Sequence, residues 1–274
     1  MTDKLDKHRI VQALQDGLFP GGVHVFDTID STNDWSLAEI KRGRELPFVC
    51  IADHQRKGRG RRGRHWMSPS NANIYLSLVW HFESAAQGLG LLSLAQGVAV
   101  IRTLNQIGIT DAWLKWPNDV LIKNDKIAGI LVEMRVTPGG PCRAVIGIGL
   151  NYCMPETVAA ESKVRWTDVV HAIGGTAPDR NVVVAALINE VVTMCRQCQH
   201  SASTLRDELA LALAALTDKQ VCVSTEAGDR VTGKVLGINA TGELRVLVDG
   251  RERCFNSADV SLTSPHFSLG GVGY

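Results

Sequence analysis

The sequence predicts an α+β protein followed by a small antiparallel β-barrel. Three observations predict it. Apolar residues recur at helical spacing over 87–108, 181–200 and 203–216. Between the first two of these, "AWLKWPNDVLI", "KIAGILVEMRV" and "RAVIGIGLNY" read as strands. From Lys219 to Leu262 the chain breaks into short β-rich pieces punctuated by "EAGDR", "NATGE" and "VDGRE", the rhythm of a small barrel. The length of 274 residues suits a large domain with a small one. The expected division is a main domain over 1–216, a barrel over 218–264 and a loosely ordered tail over 265–274.

The N-terminal half supplies the remaining elements. Residues 3–18 carry an amphipathic helical pattern, and Val23 to Ile29 alternate like a strand. Ser31, Thr32 and Asn33 are capping residues at the start of "DSTNDWSLAEIKRG", and Gly43 is a natural stop. "PFVCIADHQ" and "NIYLSLVWHF" read as apolar strands on either side of a basic loop. Further on, Asn124–Asp125 signals a hairpin turn, and Gly139–Gly140–Pro141 breaks the next two strands apart.

Composition narrows the function classes. The formal net charge is only +1, so no broad polyanion-binding face is implied. The runs "NVVVAALI" and "LALALAAL" are too short to span a bilayer. The charged start "MTDKLDKHRIVQALQD" lacks the apolar core of a signal peptide, and a cytoplasmic location is expected. Seven cysteines at irregular spacing do not form a disulfide framework. Cys195 and Cys198 make one C-x-x-C within a helical pattern, which reads as two packed thiols. No histidine or cysteine spacing marks a metal site.

The chemistry concentrates in "RKGRGRRGRHW", Arg56 to Trp66, where six of eleven residues are Arg or Lys and three are Gly. Taken alone, such a run also fits a solvated arm or a nucleic-acid contact. Here two apolar strands anchor both ends, and glycine recurs at 58, 60 and 63. Glycine lets backbone N–H groups approach a ligand and form an anion-binding nest. Arginine adds planar paired donors for carboxylate and phosphate. The loop is not a Walker A loop, and "GIGLN" at 147–151 is not a dinucleotide fingerprint. A second polar cluster, Lys115, Asn118, Asp119 and Lys126 in "KWPNDVLIKNDKIAG", lies among apolar strand residues. By itself it also fits a turn with a strand-end lysine.

Together these segments resemble the biotin protein ligase family. "STN" at 31–33, "GRGRRGR" at 58–64, "KWPND" at 115–119, "KIAGILVE" at 126–133 and "GIGLN" at 147–151 occur in the family's order, over nearly the whole chain from Val23. The resemblance implies a mixed sheet with packed helices, akin to class II synthetases, and an SH3-like C-terminal barrel. It implies that biotin's carboxylate attacks the α-phosphate of MgATP, giving biotinyl-5′-AMP, and that a lysine of a biotin carboxyl carrier domain then takes the biotin. By the same resemblance Arg59, Arg61 and Lys126 do the catalytic work. Ser31, Thr32, Asn33, Gln55, Gly58, Gly60 and Gly129 border biotin with them. Arg61, Arg64, Trp66, Lys115, Asn118, Asp119 and Asn151 face the nucleotide. Trp66 would wall the adenine, and Asp119 suits a lysine or a Mg²⁺ ion carried in with ATP.

Other expectations follow from the family. Some members carry an N-terminal DNA-binding domain, but only about 22 residues precede the first strand, so a monofunctional ligase without operator binding is expected. Monomer and ligand-promoted homodimer both fit, with "RAVIGIGLNY" as the candidate edge strand for pairing. The rivals are a lipoate-type ligase and, outside catalysis, a nucleic-acid-binding module using the basic loop.

Overall fold

The computed structural model describes residues 4–15, 19–83, 89–136, 140–159, 165–200, 202–225 and 228–262. The expected tail over 265–274 lies outside them, as do parts of the 3–18 helix and of the Gly139–Pro141 break.

The chain opens with α1 (Lys7–Gln12), β1 (Val23–Phe26), α2 (Thr32–Lys41) and β2 (Phe48–Ala52). Ser31 caps α2 by accepting from the Asp34 N–H, and Gly43 leaves it at φ 80°. The basic loop then leads to β3 (Ile74–Phe82), α3 (Leu92–Gln106), β4 (Ala112–Lys115), β5 (Asp119–Ile122), β6 (Asp125–Val136) and β7 (Cys142–Leu150). After the short helices α4 (Glu156–Ala159) and α5 (Val169–Ile173) come α6 (Arg180–His200) and α7 (Ala202–Ala212). The last strands are β8 (Gln220–Thr225), β9 (Arg230–Ile238), β10 (Leu244–Val248), β11 (Arg251–Phe255) and β12 (Ala258–Leu262).

Seven strands form one mixed sheet in the order β1-β2-β3-β7-β6-β5-β4, with β1 and β2 parallel and the other pairs antiparallel. Helices cover both faces. β2 shows how: Val49 and Ile51 join the large core shared with α3 and α6, while Phe48 packs with Val79, Val145 and Trp35 of α2 on the opposite face. Both faces being covered, β2 reads as a continuous apolar run. The remaining five strands form a separate antiparallel sheet, β11-β10-β9-β8-β12. It meets the first sheet where the Trp116 indole N–H donates to Gly242 O at 2.9 Å.

Two expectations need correction. Ala112 to Ile122 is not one strand but a hairpin, with Lys115 opposite Asp119 and Trp116–Asn118 at the turn. Proline cannot continue a ladder, so Pro117 forces the break and brings two site residues side by side. The segment 143–152 is not an edge either. β7 is the middle strand, hydrogen-bonded along its length to β3 and β6.

Candidate active site

The carboxyl end of β2, the basic loop, the β4–β5 turn and the adjoining stretches of β6 and β7 surround one cavity of about 760 Å³. Every site residue expected from the sequence lines it except Gly58. Gly58 acts one layer back. It is buried, and a Cβ there would stand 2.5 Å from Trp66 O and 2.6 Å from Ser68 Oγ, so only glycine lets the loop double on itself.

At one end lie the start of α2 and the end of β2. The Thr32 N–H donates to Gln55 Oε1 at 2.9 Å, and Gln55 Nε2 donates to Ser68 Oγ at 3.1 Å. Asn33 Nδ2 donates to Glu133 Oε2 at 2.9 Å. Ser31, Thr32, Asn33 and Gln55 are all buried. The capping expected of Ser31 coexists with this cluster, because a helix N-terminus already turns its side chains and N–H groups outward.

The basic loop is tied down on three sides. Arg56 and Lys57 pair with Asp30 at 2.7 and 3.1 Å. Arg59 lies between Asp34 at 2.8 Å and Glu133 at 2.5 Å. Arg62 reaches Asp259 of β12 at 3.1 Å, and Arg64 contacts the same carboxylate. Arg61 donates to Asn118 Oδ1 and to Ser257 Oγ, each at 3.1 Å. The turn at Arg61–Gly63 places Arg62 at φ 56° and Gly63 at φ 70°. Of the three loop glycines only Gly63 is at positive φ; Gly60 is extended at φ −112°.

At the other end, Lys126 Nζ stands 2.6 Å from Asp119 Oδ1 and 5.1 Å from the centre of the Trp66 ring. The contact with Asp119 is off-axis for a hydrogen bond, so the buried Oδ1 has no aligned donor. The Trp66 indole lies on the sheet, where a Cβ on Gly149 would come within 2.3 Å of it and one on Gly129 within 2.9 Å. Its buried Nε1 has no partner. Asn151 donates to Thr167 O at 3.1 Å and to Lys126 O at 3.3 Å, and its buried Oδ1 is an acceptor without a donor. Burial holds the Lys115 ammonium below the ordinary lysine range, against the pull of Asp119.

Sequence reasoning missed Asp34, Glu133 and Asp259, which balance the loop's charges. It also missed Gly147 and Gly149, although their motif had been singled out. A glycine inside a strand marks a close approach, and that signal was available: a Cβ on Gly147 would stand 2.3 Å from Asn33 Oδ1.

Comparison with known proteins agrees with this geometry. The profile described as "Biotin/lipoate A/B protein ligase family" matches residues 25–151. The biotin–[acetyl-CoA-carboxylase] ligase of Mycobacterium tuberculosis is 34% identical over 236 residues, covering 84% of this chain and 85% of that protein. The bifunctional ligase/repressor BirA of Escherichia coli is 39% identical over 174 residues, 62% of this chain. The match spans only 52% of that protein, about half its length. A solved structure of biotin protein ligase from Aquifex aeolicus, in complex with biotin and ATP, superposes with a TM-score of 0.70 at 25% identity, covering 88% of this chain and 98% of that one. With its mixed sheet, its glycine-arginine loop over a lysine–aspartate pair, and a relative matched along most of its length, the chain belongs to the biotin protein ligase family.

Proposed function

We propose that the protein is an ATP-dependent biotin protein ligase. It activates biotin as biotinyl-5′-AMP and transfers the biotin to a lysine of a biotin carboxyl carrier domain, as in acetyl-CoA carboxylase. The observation that carries this reading is the single cavity that holds a buried polar end, Thr32 and Gln55, within one wall of the Lys126–Asp119 pair and the basic loop. A ureido ring offers N–H donors and a carbonyl acceptor, which suit short polar side chains. A carboxylate and a triphosphate repel one another, and Arg59, Arg61 and Lys126 are the cations placed to align them.

In the first step a biotin carboxylate oxygen bonds to the α-phosphorus while the bond to the β-phosphate oxygen breaks, releasing diphosphate. In the second, the carrier amine attacks the acyl carbon, loses a proton and expels AMP. Lys126 is central to the first step, because its ammonium serves both the carboxylate and the α-phosphate. Arg64, Lys115 and Asn118 border the nucleotide phosphates, and Asn151 Oδ1 supplies a buried acceptor for an N–H of the base. Trp66 walls the adenine once the ring leaves Gly149.

Magnesium neutralises phosphate charge when bound with ATP. Among the described residues no group of three or more His, Cys, Asp or Glu side chains could hold it alone. The undirected Asp119 Oδ1 is the protein oxygen that would help hold a Mg²⁺ ion brought in with ATP.

Among the described residues no helix is long and apolar enough to cross a membrane. We place the protein in the cytoplasm with its carrier. Sedimentation with and without biotin and ATP separates a monomer from a ligand-promoted homodimer. The decisive assay is biotin-dependent diphosphate release from ATP, followed by labelling of an added carrier domain. Release that requires lipoate instead of biotin would overturn the reading.

A further inference from the structure

We propose that Glu133 and Ser77, neither of which lines the cavity, are positioning residues that set the hydrogen-bond polarity of the Thr32 hydroxyl toward the ureido ring. The proposal rests on the biotin ligase reading above and extends it to two residues outside the cavity wall.

The argument follows the protons. A carboxylate only accepts, and so does a backbone carbonyl. Asn33 stands 2.9 Å from Glu133 Oε2 and 3.4 Å from Leu131 O, so its amide nitrogen faces both. Its oxygen is thereby turned to Ser77, 2.6 Å away. An amide oxygen cannot donate, so the single Ser77 proton goes to Asn33. Ser77 Oγ also lies 2.7 Å from Thr32 Oγ1. With its own proton spent, Ser77 accepts there, and Thr32 donates. Gln55 Oε1 accepts the Thr32 backbone N–H at 2.9 Å and, 3.1 Å from the Thr32 hydroxyl, is a second acceptor for it.

The Ser77 proton is therefore committed to Asn33, and the Thr32 proton has its acceptors inside the cluster, Ser77 Oγ and Gln55 Oε1. The consequence falls in the cavity. Thr32 Oγ1 has given its proton away and keeps its lone pairs, which makes it an acceptor for a ureido N–H. Gln55 Nε2 spends one N–H on Ser68 Oγ and has no second partner among the described residues, which makes it a donor for the ureido carbonyl. Thr32, Asn33 and Ser77 are 4%, 4% and 0% exposed, so water does not scramble the chain.

The test uses full-length protein and biotin-dependent diphosphate release, with KM for biotin and kcat measured separately. Ser77→Ala and Glu133→Ala each remove a link, and each is expected to raise KM about tenfold, the size of a lost hydrogen bond to a ligand. Glu133→Gln still accepts from Asn33 through its own amide oxygen, so its KM is expected to stay within about threefold of the parent's. All three should keep kcat within about threefold. Ser77→Ala/Glu133→Ala together should cost little more than either alone, because both act through one chain.

Equal defects in Glu133→Gln and Glu133→Ala would show that Glu133 matters only as a charge for Arg59, and would overturn the proposal. Additive effects in the double variant, or parental KM values in both alanine variants, would also overturn it. Should Glu133→Ala fail to fold, KM of Ser77→Ala carries the test, and a parental value overturns the proposal. If the parent protein shows no biotin-dependent release, the ligase reading itself fails and this proposal falls with it.

Discussion

Lys126 and Asp119 meet at 2.6 Å across the β5–β6 ladder, beneath the ring of Trp66. The ammonium is thus held over the cavity before any ligand neutralises it. Lys126→Met should lower biotin-dependent diphosphate release by about 100- to 1000-fold, the usual consequence of losing a donor that meets developing charge. Kinetics with biotin and ATP each varied up to saturation will measure it. An effect confined to KM would place Lys126 outside the transition state.

The position of the indole on Gly149 leads to a second expectation. Gly149→Ala would set a Cβ 2.3 Å from Trp66 Cε2 and 2.5 Å from Nε1. Such overpacking costs about 1–3 kcal/mol where neighbours cannot yield. The tryptophan should be pushed from its seat, changing its fluorescence, and the melting temperature should fall. An unchanged melt with parental emission would show that the ring does not rest there in solution.

Arg61 links the loop to Asn118 in the cavity wall and to Ser257 just before β12. Arg61→Gly should still form the adenylate but release it, labelling bystander lysines on added albumin. The mixed anhydride survives only while water is kept out. Hydrogen exchange of 56–64 should slow when biotin and ATP are added to the parent, and less so in the variant. Retention of the intermediate equal to the parent's would contradict this.

The Lys115 ammonium, depressed by burial, gives a pH signature. Its pKa is lower in the folded chain than in the unfolded one. Folding therefore bears a cost for its proton at neutral pH, and that cost is relieved as pH rises from the folded value toward the ordinary lysine value. Function moves the opposite way: over that window Lys115 loses the charge it offers the nucleotide. KM for ATP should rise on the alkaline side before an ordinary lysine would titrate. Lys115→Arg should flatten this limb, because arginine stays charged.

Arg180 and Asp53 form a buried ion pair, with side chains 0% and 5% exposed, joining the start of α6 to the end of β2. Breaking it by Asp53→Ala strands a buried charge and should destabilise the fold by about 3–5 kcal/mol. Chemical denaturation will show it. A loss below about 1 kcal/mol would mean that water solvates Arg180 readily.

What the sequence disclosed and what it withheld divide along physical lines. Ser31–Asn33 and the glycine-arginine loop were legible because local chemistry determines them: a cap needs a short polar residue, and a tight anion loop needs glycine. The two sheets were legible from strand rhythm. The Trp116–Asn118 turn was half legible: the apolar run read as one strand, while its Trp-Pro-Asn-Asp also fitted a turn. The central place of β7 was misread because an apolar segment says that it is buried without saying between which neighbours. Glu133, Ser77 and Asp259 were invisible for a different reason. Their roles come only from being brought to the loop or to α2 by pairings far along the chain, and no local pattern carries that.

The distance along the chain from Arg62 to Asp259 has a consequence for biosynthesis. The loop emerges early from the ribosome, whereas the carboxylate that balances Arg62 and Arg64 belongs to β12, the last described strand. A nascent chain therefore lacks the carboxylate that holds Arg64 until translation has passed residue 259. Truncated products lacking β12 should hold the loop less firmly even when the seven-stranded sheet has formed. The last described strand thus completes a loop laid down early in the chain.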